Sequence, residues 1–328
     1  MLGLIGWQIN QVIEVYRVEI GVLPGAEAYV PVSEKRIDTE EKTVVAVFAL
    51  DKEGETTLID SLSIISVGHW RLDLPVNVAI MIDQSLSVYT GKLYYAGERL
   101  SNQTTGLEYL VGELEKIASV KIDGYIAMDV SNCDQKKGPC TVSELSAAIE
   151  PFHVWLSPSR AKAGLERTYS NCDTHALQSV LWAGFDTASD SVTKTIPLSL
   201  LESANIQGEQ VYYLRAAAVS DVIQSFPVPA DLMVEQARVE VYNGTDFAGL
   251  AGTTARVFEN SGINVTRVED APLRLEETTI FVKNYEKYTN TVATIKHDLA
   301  DKASVLQAEP NFLTAGDVVV VMGYNGVE

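Results

Sequence analysis

The stretch Val239-Glu240-Val241-Tyr242-Asn243-Gly244-Thr245 decides how the C-terminal part of this chain is read. Residues 238–242 predict a strand, and Asn243-Gly244-Thr245 predicts a tight turn, because Asn-Gly tolerates positive φ. Downstream, Phe247, Leu250, Ala251, Thr254 and Phe258 fall on one helical face. Gly249 is expected to let that helix start close to the strand, and Gly262 stands where a C-cap glycine belongs. Residues 263–268 and 278–282 read as strands. Tyr288, Val292, Ile295 and Leu299 line a second helix, and residues 317–322 form a buried strand closed by Gly323. The order βαββαβ implies crossover connections and a small α/β layer with its helices on one face.

Upstream of this block, Pro227, Pro229 and Asp231 mark a linker over 226–236. Before it, residues 42–50 predict a buried strand, 51–55 a hairpin turn and 56–65 the returning strand. Residues 76–82 are a further apolar run. Residues 104–118 predict a helix with Leu107, Leu110, Val111, Leu114 and Ile117 on one face, capped from Thr104 or Thr105. A strand comes next over 121–130, then a short helix over 142–149, a strand over 153–156 and a helix over 175–182. Residues 212–223 are apolar and alanine-rich, of either type, and 12–22 mix β-branched and charged residues as a strand would.

Composition narrows the function. Apolar residues make up 46% and charged residues 21% of 328, a globular balance with room for two cores. The net charge of −19 argues against nucleic acid, whose phosphates demand clustered Lys and Arg. The excess is uneven: from Arg238 onward there are 8 basic and 13 acidic residues, and before it 17 and 31. Cys133 and Cys140 flank a turn, and read equally as a local disulfide or as two loop thiols. Four histidines, none beside a CxxC pair, leave no zinc pattern. Gln8, Asn10 and Gln11 interrupt the apolar start, so it does not read as a membrane span, and any membrane contact is expected through an anchor outside this sequence.

Taken in order, Val239–Thr245, Gly249-Leu250-Ala251, Gly262-Ile263-Asn264-Val265, Thr278-Thr279-Ile280 and Asp317–Gly323 resemble the C-terminal domain of LytR-type cell-envelope proteins. In many proteins that domain comes after a LytR-CpsA-Psr catalytic domain. Lys92–Gly97, the 104–118 helix, Ile122–Asp129 and Gly164–Asp173 resemble parts of that second domain. The family transfers a lipid-pyrophosphate-linked glycopolymer onto peptidoglycan, using a divalent metal. The resemblance implies that arginines clamp the pyrophosphate while acidic residues support the metal and the acceptor.

The sequence departs from that pattern at the clamp. The early motif leads into Arg-Asp, and here residues 66–75 keep only Arg71 and Asp73. The late motif continues with two arginines and a glutamine, whereas Asp173 is followed by Thr174-His175-Ala176-Leu177-Gln178. Arginine holds phosphate in a fixed fork, so losing it removes both charge and positioning. The candidates carried over are Arg71, Asp73, Arg167 and Asp173 as residual catalytic groups, and Arg160, Lys162 and Trp70 as ligand-binding groups. Tyr94, Tyr95, Tyr169 and Trp182 are further rings suited to sugar or to core, and Asp173 with His175, or Asp129 at a strand end, could serve a metal or a proton.

The expectation is therefore an α/β protein: an N-terminal segment at 1–40, a diverged mixed-sheet LytR-CpsA-Psr-like core at 41–225, a linker at 226–236 and the βαββαβ domain at 237–328. It is expected outside the cytoplasm, in the bacterial envelope or at the cell surface. There it binds or scaffolds glycopolymer or peptidoglycan, with other envelope proteins as further partners and with no cofactor. An active transferase needing Mg, using Arg71, Arg160 and Arg167 with Asp73 and Asp173 in one pocket, is the alternative, and a structural assembly protein is the third.

Overall fold

A computed structural model describes residues 2–18, 20, 43–53, 56–75, 79–82, 87–88, 106–131, 133–171, 174–185, 192–206 and 209–326. The fold is mixed α/β, in two compact units. One comprises Met1–Ile117 with Ile122–Val219, and the other Ala118–Lys121 with Ser220–Glu328.

The first unit is built on a six-stranded sheet. Its strands are β1 (Val44–Glu53), β2 (Thr56–Ser66), β3 (Trp70–Leu74), β6 (Gly124–Asp129), β7 (Thr168–Ser170) and β8 (Val192–Thr195), in the order β7-β6-β1-β2-β3-β8. The expected β1–β2 hairpin is present, with a bulge between Ala49 and Leu50. β6 runs parallel to β1, as a strand returning after a helical crossover does. A second sheet contains β4 (Ala79–Ile82), β5 (Ser87–Val88), β9 (Glu202–Ile206) and β10 (Glu209–Leu214), in the order β5-β4-β10-β9.

Alternation along the strands gives the six-stranded sheet two buried faces. Val45, Val47, Ala49, Ile65, Ile126 and Met128 share one core with α3 (Val142–Ile149), α5 (Pro158–Leu165) and α6 (Thr174–Phe185). Ala46, Phe48, Ile64, Leu72 and Tyr125 lie on the opposite face and are equally buried. Phe48 and Tyr125 stack there at 6.3 Å between centroids. The helix expected over 104–118 is α2 (Gly106–Ala118), with Val111, Leu114 and Ile117 buried. The capping threonines and residues 92–97 lie outside the described residues.

The structure departs from the sequence expectation at two places. Of the strand expected over 12–22, residues 12–16 instead end α1 (Leu2–Tyr16), with Val12 and Val15 meeting the core at helical spacing, and residues 19, 21 and 22 lie outside the described residues. The strand expected over 153–156 is instead part of α4 (Pro151–Leu156). The run is too short to show a period. Pro151 and Pro158 open two successive helices, in the position where a missing N–H costs nothing. Residues 212–223 divide between the end of β10 and α7 (Ala216–Gln224).

The second unit holds β11 (Val239–Asn243), α9 (Leu250–Asn260), β12 (Val265–Asp270), β13 (Thr279–Val282), α10 (Thr289–Asp298), β14 (Ser304–Leu306) and β15 (Val318–Met322). The expected βαββαβ order stands, with the short β14 added after the second helix. The sheet order is β12-β11-β15-β13-β14, with β11 parallel to β12 and β15, and β13 antiparallel to β15. Both helices cover one face: Ala251, Ala255 and Phe258 of α9, with Val292 and Ile295 of α10, share a core with Val239, Val241, Ile280 and Val320. On the other face Tyr242, Val319 and Val321 lie under Phe312 and Leu275.

The expected linker at 226–236 contains a short helix. Residues 230–235 form α8 (Ala230–Glu235), whose Leu232 belongs to the second unit's core. Its last residue, Glu235, accepts from the backbone N–H groups of Asn290 and Thr291, each at 2.8 Å, and from the Thr291 hydroxyl at 2.6 Å. Those amides are orphan donors in the first turn of α10, which has no cap from its own Tyr288. A carboxylate from an earlier helix thus does the capping, and it also favours the positive end of the helix dipole.

Candidate functional site

Arg71 and Asp73 stand two residues apart on β3, so they share a face, and they pair with each other. Arg71 Nε donates to Asp73 Oδ1 at 2.6 Å, and Nη2 donates to Oδ2 at 3.1 Å. Asp73 also accepts from Ser63 Oγ at 2.6 Å, across the β2–β3 ladder. Arg71 Nη1 donates to the Gly184 carbonyl at 3.3 Å, and its guanidinium lies 3.8 Å above the Phe185 ring. Gly184 and Phe185 end α6, so Arg71 caps the negative end of that helix. Gly184 makes this approach possible, because a Cβ there would collide with Ile65 Cδ1. Trp70, on the alternate face of β3, is only 5% exposed. Its ring is core and does not reach a ligand at the surface.

Arg167 serves a different part of the unit. Its Nη1 donates to Cys133 Sγ at 3.1 Å and its Nη2 to the Ser131 carbonyl at 3.2 Å. Cys133 and Cys140 are joined in a disulfide, with Cα atoms 5.5 Å apart. The loop they close leads into α3, where Thr141 Oγ1 accepts from Glu144 N at 3.1 Å and the Glu144 carboxylate accepts from Cys140 N at 2.7 Å. This reciprocal pair resembles a capping box. Pro139 packs on Gly164 of α5, where a Cβ would come within 2.5 Å of Pro139 Cγ. Asp129 donates its backbone N–H to the Arg167 carbonyl at 2.9 Å, fixing the chain at this corner.

Sheet order separates these two arginines. From β7, which begins next to Arg167, to β3 there are four strand steps, or roughly 19 Å at about 4.8 Å per step. Each guanidinium is turned onto protein acceptors at its own end of the sheet. One pyrophosphate cannot be gripped by both without breaking those contacts. Asp73 gives both oxygens to Arg71 and one also to Ser63. Asp173 lies outside the described residues, and among the described residues no three His, Cys, Asp or Glu side chains gather as a metal cluster would.

Arg160 and Lys162 are placed on α5 with their side chains 44% and 41% exposed. Their ion pairs, to Glu144 at 3.9 Å and to Glu166 at 4.0 Å, are long, and pairs of that kind contribute little. Rings that sequence reasoning did not assign to the site stand on the neighbouring helices. Phe152 and Trp155 of α4 and Trp7 of α1 are all exposed. Gln8 Nε2 of α1 donates to the Trp155 carbonyl, which brings α1 against α4. The signal for this group was the Pro151 and Pro158 pair, which breaks the segment into two short helices and turns its rings outward. Exposed rings on α1 and α4 and loosely held cations on α5 are side-chain types that suit a sugar chain bearing negative charge.

In the second unit the shifted groups are structural. Arg238 holds the Asp317 carboxyl below its usual value, first by hydrogen bonding through Nε at 3.0 Å. Burial, and then the hydrogen bond it donates to Glu240 at 3.0 Å, push the Tyr242 phenol up to about 12. Glu240, itself buried, also accepts from Ala315 N at 3.1 Å, which ties the loop before β15 to the sheet.

Residues 236–325 match the LytR_C family model, described as LytR cell envelope-related transcriptional attenuator. The match covers roughly a quarter of the chain and falls within the second unit. No curated protein matches the chain by sequence. Among solved structures, TagT bound to LI-WTA is 11% identical, with a TM-score of 0.36 over 62% of this chain and 96% of that one. Bacillus subtilis TagV is 13% identical, with a TM-score of 0.36 over 56% of this chain and 95% of that one. Scores at this level do not carry a fold or a ligand across to the first unit.

Proposed function

We propose, for a chain that carries a LytR C-terminal domain, that it is an extracytoplasmic protein of a bacterial cell envelope which holds glycopolymer or peptidoglycan without transferring it. Its first unit is a diverged relative of the LytR-CpsA-Psr core. The observation that carries the non-catalytic part is the commitment of Arg71 and Arg167 to protein acceptors at separate ends of one sheet. Phosphoryl transfer is mainly positioning and charge stabilisation, and a clamp divided in this way supplies neither. The bound polymer lies over the exposed rings and cations of α1, α4 and α5: Trp7, Phe152, Trp155, Arg160 and Lys162. The disulfide favours an oxidising compartment, outside the cytoplasm. Among the described residues no helix is long and apolar enough to cross a membrane.

The test is equilibrium binding of the full chain to purified peptidoglycan sacculi with and without attached anionic glycopolymer. Trp155→Ala with Arg160→Glu is expected to weaken binding by about tenfold or more, the loss of roughly one stacking and one ionic contact. Arg71→Gln is expected to lower the melting temperature and leave the affinity unchanged. Release of polyprenyl phosphate from a polyprenyl-pyrophosphate-linked saccharide, abolished by Arg71→Gln, would establish the transferase reading instead.

A further inference from the structure

Strand β12 is an edge of the second unit's sheet. β11 pairs with one side of it, and among the described residues no strand pairs with the other. Residues 266–270 are all exposed. Natural sheets usually blunt such an edge with like charges that repel an approaching copy. This edge has charges of both signs, and their spacing is self-complementary.

The register on β11 fixes the faces. Arg267 and Glu269 stand opposite Glu240 and Tyr242, on the face away from the helices, whereas Val268 stands opposite Val241 on the helix face. Within the strand, Arg267 Nη2 meets Glu269 Oε2 at 2.7 Å. If a second β12 approaches antiparallel with a two-fold axis at Val268, Arg267 of each copy falls opposite Glu269 of the other. Asp270 then falls opposite Thr266, and Val268, 43% exposed, falls opposite itself. Moving the axis to Arg267 or to Glu269 shifts the register by two residues and sets like charge against like charge. The axis at Val268 is the one that sets Arg267 and Glu269 against opposite charge while leaving Asp270 against a neutral neighbour.

We propose that β12 pairs antiparallel with β12 of a second copy of this chain, about a two-fold axis at Val268, so that the two sheets run on as one. An edge contact of one short strand buries less than the roughly 1,200 Å² typical of stable complexes, so the dimer is weak and forms reversibly. Association is isologous, each copy offering the same strand, and the assembly closes at two.

The test is sedimentation velocity of the full chain over a concentration series from about 10 µM to about 1 mM, a range chosen for a weak interface. The wild type is expected to pass from monomer to dimer. Arg267→Glu alone and Glu269→Arg alone each set like charges face to face and are expected to weaken the dimer by about tenfold or more. The double reversal restores both cross-strand pairs and is expected to recover the dimer. Matching circular dichroism melts establish that the single variants remain folded; should either unfold, Val268→Lys, which places two like charges on the axis, replaces it. A wild type that stays monomeric throughout, a dimer indifferent to the single reversals, or one that the double reversal does not restore would each overturn the proposal.

Discussion

At the scale of single residues, the two glycines of the 243–249 turn exchange the reasons that sequence suggests for them. The Asn-Gly pair suggests positive φ at Gly244, and the helix start suggests a close approach at Gly249. Gly244 has no positive φ, but a Cβ there would stand 2.6 Å from the Met322 carbonyl oxygen. Gly249 has open space around its missing Cβ and a φ of 85° as the N-cap of α9. The turn itself is held by Asn243, whose Oδ1 accepts from Thr245 N at 3.0 Å and whose Nδ2 donates to the Phe247 carbonyl at 2.8 Å. Gly244→Ala is therefore expected to cost more than about 2 kcal/mol, because backbone must shift, and Gly249→Ala about 1 kcal/mol from the left-handed conformation alone. Chemical denaturation of the two variants measures the order, and equal costs would contradict it. Gly262 was legible outright. Its φ is 87°, Gly262 N donates to the Glu259 carbonyl and Ile263 N to the Phe258 carbonyl, which is a Schellman motif with Phe258 and Ile263 in the same core. Sequence placed all three glycines in punctuation. Only at Gly262 did the sequence neighbours also supply the reason, because the approach of Met322 to Gly244 spans the whole domain.

Among the elements, those with a full period were legible and those shorter than one were not. α9, α10, β11 and β15 each show enough turns or alternations to reveal a face. α4, with six residues, and α1, apolar on its exposed as well as its inward side, do not. α8 was hidden by Pro227 and Pro229, which signal a break without indicating the type of the next element. Its role depends on Glu235 reaching α10 across more than fifty positions. Glu235→Ala should remove the cap and cost the second unit about 1–2 kcal/mol. Hydrogen exchange at the Asn290 and Thr291 amides reports this directly: faster exchange there, with β15 protected at least as long, is the expected result. Unchanged exchange at both amides would mean that the carboxylate is not their partner. In the same sheet, Arg238 and Asp317 join the starts of β11 and β15. Because Asp317 titrates below its unfolded value, its contribution is complete above about pH 4 and is lost as pH falls through the lower folded value. Stability of the second unit between about pH 5 and about pH 2 should fall less steeply in Asp317→Asn than in the wild type, and parallel slopes would rule the pair out as a source of acid sensitivity.

Across the whole molecule, fold class was readable because it rests on the alternation of strand and helix patterns along the chain. The candidate site was not readable in the same way. Arg71, Asp73 and Arg167 are all present in sequence, but whether they meet depends on strand order, and two strands inserted between β3 and β6 keep them apart. The basic residues of α5 were visible, whereas their aromatic neighbours depend on how α1 lies against α4, which only packing reveals. A residue inventory can therefore show which groups are present, but it cannot show which partners each one meets. Here Arg71 caps a helix and Arg167 braces a closed loop, and both roles are stabilising.

That closed loop has a consequence for how the protein withstands proteases. Its tip, residues 134–137, is exposed and includes two adjacent lysines, a ready target for trypsin-like cleavage. The bond between Cys133 and Cys140 spans the target, so a severed peptide link there leaves both fragments covalently joined. With Arg167 gripping one end and Pro139 wedged against Gly164 at the other, a nicked molecule keeps its shape until a reductant reaches it.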